Sequence, residues 1–75
     1  MNIDARNFRV FVEPLVPNLG GGFVAYAPDL QGCVSDGETP DEALHNIYDA
    51  INCWLDAAVE RGDAIPDATA NRRFA

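Results

Sequence analysis

The sequence predicts an α+β domain: a three- or four-stranded antiparallel sheet with one long helix on one face, in the order β-β-β-α. Three observations predict it. Two short apolar runs with two-residue alternation lie before residue 28, one long amphipathic stretch follows residue 39, and turn-forming residues separate them. At 75 residues the chain is a single small domain, 1–75. A domain of that size buries only about 60% of its unfolded surface, so such scaffolds usually rely on disulfides, a metal or a partner chain. Two cysteines make no disulfide framework and no Cys/His spacing resembles a zinc site, which leaves self-association or a partner.

In residues 8–13, Phe8, Val10 and Val12 alternate with Arg9, Phe11 and Glu13; this is strand periodicity, with Phe11 breaking the polar side. Pro14 and Pro17 end the run, and Leu15 and Val16 are placed to extend it as an edge. Residues 18–22, with their triple glycine, suit a hairpin connection. A phosphate loop would need a following helix and a Lys-Ser/Thr pair, and neither is there. The second strand covers residues 23–27, where Phe23, Ala25 and Ala27 alternate with Val24 and Tyr26, and the alanines leave room for a helix to come close. Pro28-Asp29 reads as a turn, Gly32-Cys33 as a small-residue step, residues 33–35 as a short third strand and Asp36-Gly37 as a second turn.

The helix begins at a clear capping signal. Thr39 is placed to accept a hydrogen bond from the amide of Glu42, while the Glu42 side chain returns to the amide of Thr39. Pro40 takes the first helical position, and Asp41 and Glu42 put negative charge where the helix dipole favours it. Leu44, Ile47, Ile51, Trp54 and Ala58 form one apolar stripe flanked by Ala43, Ala50 and Leu55. Glu42, Asp49, Cys53, Asp56 and Glu60 fall opposite, with His45 at the margin. Gly62 stands one residue beyond Arg61 as the stop. Residues 63–67 are a loop, and residues 68–75 are a fourth strand or a frayed end.

Charge narrows the function. Twelve acidic residues face five basic ones, all arginine, for a net charge of −7. Nucleic-acid binders draw most of their affinity from Lys/Arg contacts to phosphate, so no direct nucleic-acid binding is expected, whereas a basic protein partner suits the charge. There is no N-terminal signal core, and no apolar run approaches the ~20 residues that span a bilayer. A cytoplasmic protein with reduced Cys33 and Cys53 is the expectation, with no membrane association.

Four groups of residues are candidates for chemistry. Asp29, Asp36, Glu38, Asp41 and Glu42 are the kind of carboxylates a two-metal nuclease would use, but each also suits a turn or a helix N-terminus. His45 and Asp49 are an i, i+4 pair with no nucleophile nearby in sequence. Cys33 reads as a packing group, and Trp54 as a core or interface anchor. No catalytic, metal or cofactor site follows from these.

Taken together, the segments resemble the HicB-like antitoxin family. Its pattern is an aromatic strand, a Gly-rich hairpin, a Pro-Asp-Leu-x-Gly-Cys segment, a Gly-x-Thr-x-x-Glu-Ala helix start and a helix ending near Gly-x-x-Ile-Pro. Here these parts are residues 8–12, residues 20–23, Pro28-Asp29-Leu30-Gln31-Gly32-Cys33, Gly37-Glu38-Thr39-Pro40-Asp41-Glu42-Ala43, and residues 62–66. Within that pattern Pro28, Asp29, Gly32, Cys33, Gly37, Thr39 and Glu42 are the structural motif residues. The resemblance implies a partial ribonuclease H-like fold without implying nuclease activity. It further implies a partner: a small basic HicA-like toxin that cleaves messenger RNA and is neutralised when the antitoxin covers its active surface.

Many family members add a C-terminal DNA-binding module. Only residues 67–75 follow Pro66, too few for one, so none is expected here. The competing reading is an orphan regulatory or scaffolding domain that binds another protein. For a toxin the acidic surface Glu42, Asp49, Asp56 and Glu60 is the expected contact. Apolar residues on the uncovered sheet face, Phe11 with Val24 and Tyr26, lead to the expectation of a homodimer or a dimer of dimers.

Overall fold

A computed structural model of the chain describes residues 4–66. Within them β1 (Phe11–Pro14), β2 (Phe23–Tyr26) and β3 (Val34–Gly37) form an antiparallel sheet in the order β1-β2-β3, and α1 (Pro40–Arg61) packs on one face. Short 3-10 turns at Ala5–Asn7 and Pro17–Leu19 precede β1 and β2. The expected fourth strand or frayed end over 68–75 lies outside the described residues.

Register follows from the hairpins. Val12 pairs with Ala25 and Ala25 with Ser35, so these three share the helix side. Phe11, Tyr26 and Val34 pair across the opposite face, as do Glu13, Val24 and Asp36. The first strand is shorter than its alternation suggests, because β2 offers no partner beyond Tyr26. Residues 5–7 instead form a turn in which Asp4 accepts from the Arg6 amide at 2.9 Å, and Phe8 drops into the core. The third strand corrects the sequence reading. Asp36-Gly37 is not a turn but the end of β3, since Gly37 pairs with Phe23.

The core joins Ala25 and Ala27 of the second strand region to Ala43, Ile47, Ile51 and Leu55 of the helix, with Ala5, Phe8, Leu30 and Cys33 closing its ends. Ile47 and Ile51 are fully enclosed, while Val10, Val12, Phe23, Leu44 and Trp54 are half-buried. Leu44 and Trp54 thus lie shallower than the apolar stripe suggests, and the flanking Ala43 and Leu55 lie deeper. At the start of the helix, Ala43 is held deep by a close seat for the first helical turn. A Cβ built on Gly37 would stand 2.5 Å from the Ala43 amide nitrogen and 2.8 Å from the Glu42 carbonyl carbon. Only a glycine lets the helix rest there.

That seat also alters the cap. Thr39 Oγ1 accepts from the Glu42 amide at 3.1 Å, as expected. The returning bond differs: Glu42 Oε1 accepts from the amide of Glu38 at 3.0 Å, not from that of Thr39. With the helix pressed onto Gly37, the Glu38 amide is brought against the first turn and takes the carboxylate. At the other end the Asp63 amide donates to the Ala58 carbonyl at 2.9 Å and Gly62 to Val59 at 3.1 Å, a double closure past Arg61. Thr39→Ala is expected to lower unfolding stability by about 1 kcal/mol in urea titrations, and Glu42→Ala by less. A larger loss for Glu42→Ala would mean that the Glu38 bond, not the Thr39 cap, holds the start of the helix.

Candidate functional site

Residues 27–33 make two successive turns, with Leu30 N–H donating to the Ala27 carbonyl and Cys33 N–H to the Leu30 carbonyl, each at 3.0 Å. Gly32 supplies the second turn's left-handed residue, at φ 77°. Pro28 is exposed at the rim, while Leu30 points inward and is buried. Two clasps fix this loop. Arg9 donates through Nε and Nη2 to the two Asp29 oxygens, both at 3.2 Å, and Trp54 Nε1 donates to the Gln31 carbonyl at 3.0 Å. Burial pushes the Cys33 thiol above its ordinary pKa, which keeps it a packing group; Cys53 is exposed on the helix.

The outer face of α1 carries the predicted contact residues. Glu42, Asp49, Asp56 and Glu60 are all exposed, spread over about 27 Å at 1.5 Å per residue. His45 Nε2 stands 3.4 Å from Asp49 Oδ2 on the same face. The described arginines are engaged elsewhere: Arg6 with Asp4, Arg9 with Asp29 and Arg61 with Asp63. Among the described residues no arginine therefore neutralises this row of carboxylates.

On the opposite side lies the sheet face that no described element covers. Phe11 and Val34 remain 44% and 57% exposed there, and the Phe11 and Tyr26 rings lie 5.4 Å apart. Tyr26 O–H donates to Glu13 Oε2 at 2.7 Å, and this bond to the carboxylate raises the phenol's pKa.

An open hollow of about 590 Å³ lies between the triple glycine and the helix start. A helix N-terminus suits an anion, but Asp36, Glu38 and Glu42 line this hollow and the Glu42 carboxylate already holds the Glu38 amide. Asp29 is held apart by Arg9 and Asp41 lies exposed in the first helical turn, so the five turn carboxylates do not converge. Among the described residues no group of three or more His, Cys, Asp or Glu could hold a metal ion, and no polar or charged side chain is buried. No helix among them is long and apolar enough to cross a membrane.

Sequence reasoning missed the contacts that tie these parts together. Arg9–Asp29 and Trp54–Gln31 join residues 20 and 23 apart in sequence, and Asn46 Nδ2 donates to the Asp36 carbonyl at 2.8 Å. No local pattern marks such partners.

Among the described residues the geometry is that of a small α+β unit of one sheet layer and one helix, covered on one face and open on the other, that offers surfaces and not a desolvated pocket. The family model for HicB-like antitoxins of bacterial toxin–antitoxin systems matches residues 8–74, and the chain belongs to that family. Two UPF0150 proteins of Synechocystis sp. are similar to it. One is 35% identical over 60 residues, covering 80% of this chain and 72% of the relative. The other is 36% identical over 64 residues, covering 85% and 84%. A UPF0150 protein of Helicobacter pylori is 50% identical over 46 residues, 61% of this chain and 64% of that protein. No solved structure matches at a significant level.

Proposed function

We propose that this chain is an antitoxin that neutralises a small basic HicA-like ribonuclease toxin by covering its RNA-binding surface. Membership of the family supports the antitoxin role, and the exposed row Glu42, Asp49, Asp56 and Glu60, which pairs with no arginine among the described residues, is the observation that carries the choice of surface. A toxin that grips messenger RNA presents cations where phosphates lie, and a line of carboxylates on a rigid helix competes for the same cations. The partial ribonuclease H likeness plays no chemical part in this reading: the chain acts in the cytoplasm by binding protein, without catalysis and without itself contacting nucleic acid.

The test uses the full chain and a small basic ribonuclease encoded beside it. The wild-type chain should co-purify with that protein and stop its cleavage of RNA. Asp49→Arg with Asp56→Arg should weaken the complex by about tenfold at low salt, mainly through slower association, and flatten its salt dependence. Unchanged affinity in the double variant would place the contact elsewhere. A neighbour that neither binds nor is inhibited would end the toxin reading.

A further inference from the structure

The two outer edges of the sheet are not equivalent. The Leu15 amide donates to the Gly22 carbonyl at 2.9 Å, in register with the β1–β2 pairs. Antiparallel ladders alternate, so Glu13 with Val24 and Phe11 with Tyr26 are the hydrogen-bonded pairs, and Val10, Val12 and Pro14 turn their backbone groups outward. Pro14, which has no N–H, falls at an outward position, as it must. On the far side, the Ala27 amide donates to the Cys33 carbonyl at 3.1 Å, and the same alternation turns Val34 and Asp36 outward from β3. That edge is guarded. Asn46 already holds the Asp36 carbonyl, and a strand added there would run beside the Asp36 carboxylate. Among the described residues nothing pairs with the outer edge of β1.

We propose that this edge is where a second copy of the chain adds, β1 against β1, antiparallel about a two-fold axis at Phe11. The sequence around Phe11 is self-complementary in this one register. Val10 and Val12 of one copy exchange both hydrogen bonds with Val12 and Val10 of the other. Phe11 faces its counterpart at a non-hydrogen-bonded position, where side chains come closest. Arg9 falls opposite Glu13 of the second copy, twice over. Arg9 holds Asp29 through Nε and Nη2, leaving Nη1 for that carboxylate, and Glu13 holds Tyr26 through Oε2, leaving Oε1. Pro14 falls opposite Phe8 and ends the pairing on each side. The joined sheet has six strands with both helices on one face. Val34, Tyr26 and Phe11 then continue into the same three residues of the second copy as a single apolar row. A register one pair away would set Phe11 opposite Glu13 and leave Arg9 without a carboxylate. The overall charge of −7 opposes self-association, and this edge is the place where the local charges instead alternate in sign.

Sedimentation equilibrium of the full chain at micromolar concentration is expected to give twice the 8.1 kDa monomer mass. Arg9→Glu alone and Glu13→Arg alone should each weaken the dimer by about tenfold, because both cross-strand pairs change from attraction to repulsion. Mixing the two variants in equal amounts should restore association, since one chain then presents two carboxylates and the other two guanidinium groups. Wild-type amide exchange gives a readout that needs no variant: the Val10 and Val12 amides should become protected as the dimer forms. A monomer mass for the wild type overturns the proposal. So does a dimer in which those two amides stay unprotected, or single variants that associate as well as the wild type, or a mixture that fails to recover. None of these outcomes touches the toxin reading, which rests on the outer face of the helix.

Discussion

Gly37→Ala is expected to lower the stability of the domain by roughly 3 kcal/mol, at the upper end of what overpacking a close contact costs. The added methyl would meet the backbone of residues 42 and 43 at 2.5–3.0 Å, and backbone atoms in a capped first turn cannot swing aside as a side-chain tip can. The helix must lift, which also breaks the Glu42 bond to the Glu38 amide. A chain of 75 residues holds only roughly 4–11 kcal/mol in total at 0.05–0.15 kcal/mol per residue. The melting temperature should therefore drop by roughly 12–24 °C, at 4–8 °C per kcal/mol for a domain of this size. Gly32→Ala is the control: its φ of 77° is unfavourable for alanine, but nothing stands within 4 Å of the added carbon. It should lose only about 1 kcal/mol. Equal losses in the two variants would show that the helix does not rest on Gly37. Protein concentration must be held constant throughout, because association shifts apparent stability.

Ile51→Ala should cost about 2–5 kcal/mol, with a value near the top of that range expected from its complete enclosure. The sheet side of the core it belongs to carries alanines at 25 and 27, which have no side-chain length with which to fill the space left behind. The cavity would persist, and its surface adds to the lost transfer energy. Ile51→Val removes one methylene and should cost only about 1 kcal/mol. Urea unfolding followed by helix circular dichroism measures both. A loss for Ile51→Ala below that of Ile51→Val would contradict the packing described for the helix.

The helix was legible because every level of the sequence agrees on it. Thr39 and Pro40 start it, Ile47 and Ile51 keep its apolar period, and Gly62 stops it, so local preference and tertiary burial point the same way. The second strand was legible for a similar reason, since Ala25 and Ala27 alternate with Val24 and Tyr26 and are buried. Asp36-Gly37 misled because its composition is that of a turn. Its role depends on a helix backbone arriving from above, and nothing in neighbouring residues records that arrival. Leu30 was missed because one apolar residue inside a turn has no period to reveal it, yet it is among the largest fully enclosed side chains. For the candidate surface, the exposure of Glu42, Asp49, Asp56 and Glu60 was readable from helical spacing. The absence of a described arginine from their face was not, because it depends on where Arg6, Arg9 and Arg61 fold back to local carboxylates.

The strand order carries a kinetic consequence. β1 pairs with β2 and β2 with β3, and the helix that covers them starts within a few residues of β3. Each element therefore meets the one made just before it, and only short loops need closing before a contact forms. Chains rich in such local contacts fold fast for their size, while those that must close long crossovers lag. A nascent chain can complete the β1–β2 hairpin, add β3 and seat the helix in the order in which these segments leave the ribosome. Under the antitoxin role proposed above, the meander shortens the interval during which a toxin would find an unfolded chain.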